Sequence, residues 1–290
     1  MRKSKQTGWT QYASLQALIV AICLLVAGAN AWAEAVIYEP FADSDTTLVG
    51  NTPGTGLTGL WVGAANPTNI ANQTYGELIT GGNAMRVYNG WANNEVVIDA
   101  SGAYTALLAD GGEMWFSVLY EPVDWSGNTA YARFAFAIGD DGFSGNGDLG
   151  TTSAQAIGLG MGAGKLFAGL WTNSNWGANN LIGPPASAVD PNQYKSLSTG
   201  ELYLVVGHVA WGANDATDYD TVTLYAPGTD LALGSAIAIS TGIVSQSSFN
   251  LIATHNGNLM TSIFDEIRVG ATYADVTPQP PPSGTVIIIK

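Results

Sequence analysis

Beyond its first few dozen residues this chain offers no long stretch with apolar residues at the 3.6-residue spacing of a helix. It offers instead short runs of alternating apolar and polar residues, each broken by Gly, Asn, Asp or Pro. The clearest are Ala84–Tyr88, Glu95–Ile98, Met114–Tyr120, Tyr131–Ile138, Ala156–Met161, Lys165–Trp171, Leu202–Trp211, Thr221–Tyr225, Phe249–Thr254 and Ser262–Gly270. Many are rich in β-branched and aromatic residues, which suit a pleated surface. Short strands in this number predict an all-β fold, a sandwich or barrel.

Alternation assigns the faces. In Thr221–Tyr225, Val222 and Leu224 point one way and Thr221, Thr223 and Tyr225 the other, so one face is buried. Phe134, Phe136 and Ile138 are expected to share an inner face opposite Arg133, Ala135 and Ala137. Leu202–Trp211 is apolar on both faces, which predicts a central strand covered on both sides.

The N-terminus is different. Arg2, Lys3 and Lys5 precede an apolar run, Leu15–Ala29, that is broken only by Gln16 and followed by Ala31-Trp32-Ala33. A basic start, a short apolar stretch and a small-x-small end read as a cleaved signal peptide, residues 1–33, and predict a secreted or cell-surface protein. The run is shorter than the roughly 20 residues of a spanning helix. Cys23 follows Ile22, where a lipoprotein signal would have a small residue.

The chain has 9 basic and 23 acidic residues. Three basic residues leave with the leader and no acidic one does, so the remainder carries 6 against 23, net −17. Such a charge repels phosphate backbones and anionic membranes, so nucleic acid is excluded as a partner. The one cysteine lies in the leader, which leaves a mature chain without thiols or disulfides. Its 257 residues are enough for a conventional core. Residues 34–277 read as one domain. Pro278-Gln279-Pro280-Pro281-Pro282-Ser283-Gly284 reads as an extended linker, and residues 278–290 end in a short apolar tail, Thr285–Lys290.

Three segments carry a family resemblance: Ala35-Val36-Ile37-Tyr38-Glu39-Pro40-Phe41 at the start, Asp220–Tyr225, and Phe264-Asp265-Glu266-Ile267-Arg268-Val269-Gly270 followed by Thr272–Pro278. Together they resemble the laminin-G-like, concanavalin A-like lectin/glucanase superfamily, and within it exported bacterial surface proteins. The resemblance implies a two-sheet antiparallel β-sandwich, the concanavalin-like jelly roll. It leaves open lectin, hydrolase, lyase and adhesive roles. Glucanases of that superfamily present Glu-x-Asp-x-x-Glu along one strand, and no such run occurs in this sequence.

No catalytic residue is assigned. Strict alternation sets Asp265 with Ile263, Ile267 and Val269, and Glu266 with Phe264 and Arg268, so the two carboxylates are expected on opposite faces, unable to flank one glycosidic bond. Asp215–Asp220 is the densest acidic cluster and is expected to be a solvated turn. His208, with Tyr203 and Tyr219 near it in sequence, is expected to be an ordinary sheet histidine. Candidate sugar ligands are Trp125, Trp171, Asn173, Asn175 and Trp176, because sugars stack on aromatic faces while amides bind hydroxyls; core packing of the tryptophans is the competing reading. The stretch from Asp140 to Asp148 is rich in oxygen donors and glycine. Asp140, Asp141 and Asp148 are candidate ligands for calcium, the one cofactor considered and not a required one, although the closing Glu of a calcium loop is missing and the same residues serve plain turns. These features favour an exported, non-enzymatic binding or surface-structural module with an extracellular polysaccharide or surface glycan as partner. The alternatives are a polysaccharide-active hydrolase or lyase and a purely structural or adhesive protein.

Overall fold

The computed structural model describes residues 34–43, 47–63, 67–88, 92–124, 133–140, 155–162, 164–172, 194–215, 217–256 and 260–280. Their strands form two sheets in which the pairings are antiparallel. One has eight strands: β1 (Ile37–Glu39), β3 (Thr68–Ala71), β4 (Asn83–Val87), β6 (Glu113–Asp124), β11 (Tyr203–Ala210), β12 (Asp220–Tyr225), β13 (Ala238–Gly242) and β15 (Thr261–Gly270). Its order is β13-β12-β11-β6-β15-β4-β3, with β1 also on β15. The other has seven: β2 (Leu57–Gly63), β5 (Ala92–Ile98), β7 (Arg133–Gly139), β8 (Gln155–Gly162), β9 (Lys165–Thr172), β10 (Lys195–Ser196) and β14 (Leu251–Asn256), ordered β10-β9-β8-β7-β14-β5-β2. Helix is confined, among the described residues, to α1 (Gly102–Leu107), a 3-10 turn at Gln246–Ser248, and α2 (Tyr273–Val276). This is the all-β fold that the alternation predicts and the two-sheet antiparallel sandwich that the resemblance implies. No helix among the described residues is long and apolar enough to cross a membrane.

Side chains from both sheets meet in one core. Met85, Phe116, Val118, Val205, Val222, Leu224, Phe264 and Ile267 come from the eight-stranded sheet, and Val96, Phe136, Ile138, Ile157, Leu159, Leu166 and Ile252 from the seven-stranded one. Each large side chain removed from water this way contributes about 1.5–3 kcal/mol. β11 is covered on both sides, as its composition predicts. Val205 and Val209 join the main core, while Leu204 and Val206 join a second cluster on the sheet's outer face with Leu78, Leu119, Leu231 and Val276. The 3.6-period is too brief in α1 and α2 to register in the sequence; α2 is held by a capping box between Thr272 and Asp275.

Two bulges overturn face assignments made by alternation. In β7 the register slips between Phe134 and Phe136, so Phe136 and Ile138 face the core but Phe134 turns outward. In β15, Asp265 opposes Leu119 and Arg268 opposes Ser117, which leaves Glu266 and Ile267 opposite Val118 alone. Glu266 occupies the left-handed region at φ 53°. The extra residue resets the alternation. Phe264, Ile267 and Val269 all enter the core, and the outward side receives Asp265, Glu266 and Arg268 together.

Candidate ligand-binding face

The outer face of the seven-stranded sheet is built largely from residues with little or no side chain. β8 alternates Ile157, Leu159 and Met161 toward the core with Ala156, Gly158 and Gly160 outward. Ala137 of β7, Gly169 of β9 and Ala253 of β14 extend this floor. Glycine inside a strand costs stability and is retained where something approaches the backbone closely. Here the approaching groups are rings. A Cβ on Gly160 would stand 1.9 Å from Phe167 Cε2, and one on Gly169 would stand 1.9 Å from Trp171 Cη2. Both rings therefore lie down on the sheet. Phe134 meets Trp171 edge-on at 6.1 Å, and His255 lies beside Phe134 at 5.1 Å. Phe134, Ala137, Ala156, Trp171, Leu251 and Ala253 form a buried cluster of their own, drawn from four strands of this one sheet.

The β5–β2 side of the same face is open. Val96 and Ile98 point into the core, so Glu95 and Val97 point out. Glu95 pairs across to Ala253 on one side and Val62 on the other. Val97, Val62 and Leu60 are 50%, 49% and 53% exposed. Among the described residues Glu95 Oε2 is buried with no hydrogen-bond donor, and burial alone pushes the carboxyl's pKa up. His255 lies on this outer face two residues beyond Ala253.

Of the sugar candidates, Trp171 ends β9 as the buried wall just described, 6% exposed. Trp125, Asn173, Asn175 and Trp176 lie outside the described residues. Of the calcium candidates, Asp140 follows β7; its amide donates to Gln155 O at 3.0 Å and its Oδ2 accepts from Gln155 N at 3.1 Å, which ties the start of the β7–β8 connection to its end. Asp141 and Asp148 also fall outside the described residues. Among those described, no three acidic, histidine or cysteine side chains gather as a metal group would.

The fully buried carboxylates are structural ties. Asp265 and Glu266 share the outer side of the eight-stranded sheet, contrary to the alternation argument, and both are fully buried. Asp265 accepts from Gln73 N (2.8 Å) and from Glu266 N (2.8 Å). Glu266 accepts from Gly81 N (2.6 Å) and from the Tyr38 hydroxyl (3.3 Å), and it pairs with Arg268. Arg268 also donates to Ile79 O at 2.7 Å and lies 4.3 Å from the Tyr38 ring centroid. Together the three residues moor segment 73–81 to the sheet. Burial, and after it the Glu266 charge, raises the Asp265 pKa to about 8, and burial raises Glu266 too; backbone donors and Arg268 oppose the rise at both. The acidic turn is not wholly solvated: Asp220 is buried, accepting from Gly212 N and Val244 N, both at 2.9 Å, and burial raises its pKa. Glu39, which no sequence signal marked, is buried under three donors, Phe41 N, Gly54 N and Trp61 Nε1. His208 is on the other sheet's outer face, stacked on Trp115 at 4.3 Å, with Nε2 3.3 Å from Glu113 Oε2.

No protein-family model and no curated protein matches the chain. Solved structures do match. An endo-β-1,4-glucuronan lyase from the fungus Trichoderma reesei aligns over 85% of this chain and 100% of its own, at 14% identity and TM-score 0.50. The cellulose-induced protein Cip1 aligns over 73% and 91%, at 14% identity and TM-score 0.39. The receptor-binding domain of botulinum neurotoxin C/D mosaic serotype aligns over 84% of this chain and 50% of its own, at 11% identity and TM-score 0.43. At these identities the likeness is one of fold, and the fold is the concanavalin-like jelly roll.

Proposed function

We propose that the chain is an exported, non-catalytic glycan-binding module that takes polysaccharide on the outer face of its seven-stranded sheet. The carrying observation is the composition of that face: two half-exposed valines, Val62 and Val97, beside one acceptor, Glu95, next to a buried floor of glycine and alanine with two rings laid flat on it. Sugars present both C–H faces, which dock on apolar surface, and hydroxyl donors, which need acceptors. The glucuronan lyase acts on a polysaccharide within the same fold, which is in keeping with this reading but rests on fold alone. Export follows from the basic, apolar and small-residue leader at residues 1–33. Mass spectrometry of the native protein should find Glu34 near the N-terminus.

One observation favours the enzyme as second reading. His255 and Glu95 share this face, and a carboxyl with a raised pKa beside a histidine is a combination that acid–base chemistry uses. The experiment that separates the readings is to incubate purified mature protein with β-glucans, chitosan and polyuronates, following binding by calorimetry and cleavage by reducing ends and unsaturated-uronate absorbance. Binding without turnover, weakened at least tenfold by Val97→Asp, is expected. Cleavage abolished by Glu95→Gln or His255→Ala would replace the binding reading with the enzymatic one.

A further inference from the structure

We propose that Glu95 and the aliphatic side chains around it form a charge-selecting subsite, which accepts sugars carrying a hydroxyl or ammonium donor and rejects uronates. The inference deepens the glycan-binding reading and rests on it. Glu95 stands on β5 between Val62 and Ala253, with Val97 two residues further along the same face. Val62 and Val97 are half exposed and Glu95 is itself partly exposed, so a ligand lying on this apolar strip meets the carboxylate, whose Oε2 is its shielded oxygen. A carboxylate partly desolvated and without a protein donor is costly, and a ligand that donates to the group recovers part of that cost.

Charge decides the class of ligand. Every other buried carboxylate described above is met by backbone N–H groups or by Arg268; Glu95 alone has burial as the sole influence on its titration, with no cation beside it among the described residues. A second carboxylate, from a uronate, would meet like charge at short range in a partly desolvated site, and the net −14 of the chain would oppose its approach as well. A neutral sugar hydroxyl gives the partly desolvated carboxylate a donor. An ammonium gives a donor and the opposite charge, a stronger, charge-assisted bond.

The test compares β-1,4-linked hexamers of glucosamine, glucose and glucuronate by titration calorimetry, on wild type, Glu95→Gln and Val97→Asp, at a pH where the amine is charged. The wild type should bind the glucosamine and glucose oligomers and not the glucuronate. Glu95→Gln should weaken glucosamine binding by about tenfold or more, and glucose binding by less. Its melting temperature should not fall, because an amide removes the desolvated charge; this separates a lost contact from a lost fold. Glucuronate bound more tightly than the other two, or all three affinities unchanged in Glu95→Gln, overturns the subsite. If Val97→Asp still abolishes binding in that case, the glycan-binding face stands without it. If none of the oligomers binds the wild type, both readings fail.

Discussion

Glu266 shows how far a single side chain can depart from what its sequence suggests. Its neighbours Asp265 and Arg268 were visible as a charged run, yet their placement on one face depends on Glu266 adopting φ 53°, a conformation that costs a non-glycine residue about 1–3 kcal/mol. Nothing local in Phe264–Gly270 announces a bulge; it follows from pairing with Leu119 and Ser117, more than 140 residues away. The strain is offset by the Gly81 and Tyr38 hydrogen bonds and the Arg268 ion pair. Because Glu266 is fully buried, Arg268→Met should leave an uncompensated charge and destabilise the fold by about 3–5 kcal/mol in urea unfolding. The double variant Glu266→Gln/Arg268→Met should recover much of that loss. If the double variant is as unstable as the sum of the singles, the pair is not the tie described here. Glu39 and Glu95 escaped the sequence reading for a different reason. Each is a lone acid in or beside a strand, and only the three-dimensional count of donors, three for Glu39 and none at Glu95 Oε2, tells them apart.

At the scale of strands, legibility tracks the regularity of burial. The ten strands with clean alternation or continuous apolar runs are all present, with ends shifted by a few residues. The missed ones are edge or near-edge pieces. β2 carries a large register shift between Thr58 and Val62, β3 is only partly buried, β10 has two residues, and β13 reads Ala-Ile-Ser-Thr-Gly with Ser240 buried and Ile239 exposed. Edge strands carry less of the core, so their sequences record it less clearly. β8 was identified as a strand, but its outward glycines acquire meaning only once Phe167 and Trp171 are seen lying on Gly160 and Gly169. A glycine-to-alanine change within a strand ordinarily stabilises by about 0.5–1 kcal/mol. At Gly160 the sign should reverse, because the new methyl would overlap the Phe167 ring, and overpacking costs about 1–3 kcal/mol. Gly160→Ala should lower the melting temperature, and adding Phe167→Leu should restore part of it. A Gly160→Ala protein as stable as wild type would mean that the ring does not rest there in solution.

For the whole molecule, an all-β sandwich or barrel was legible because β11 reads as buried on two sides and β12 on one, and the family resemblance chose the sandwich, whereas the proposed binding face was not legible, because it is assembled from strands β2, β5, β7, β8, β9 and β14 that are scattered in the sequence. One property integrates over all of these elements: the response to pH. The described buried or half-buried acids Glu39, Glu95, Asp220, Asp265 and Glu266 are all shifted upward, burial being the first cause in each. A carboxyl whose folded pKa exceeds its unfolded value binds protons more tightly in the fold. Its contribution is complete below the unfolded pKa and is lost as pH rises through the folded one. For Asp265 that window runs from the ordinary value of 3.8 to about 8. The net charge acts in the same direction, since protonating surface acids relieves the mutual repulsion of a −14 chain. The mature protein should therefore melt at a higher temperature near pH 5 than near pH 8, the reverse of a protein held by exposed ion pairs. Salt divides the two contributions. At 1 M salt the screening length falls to about 3 Å, so the repulsive part should vanish while the desolvation of Asp265 persists. A pH dependence that disappears entirely in salt would assign the effect to surface charge alone, and a melting temperature that rises from pH 5 to pH 8 would show that the backbone donors and Arg268 outweigh burial at these carboxylates.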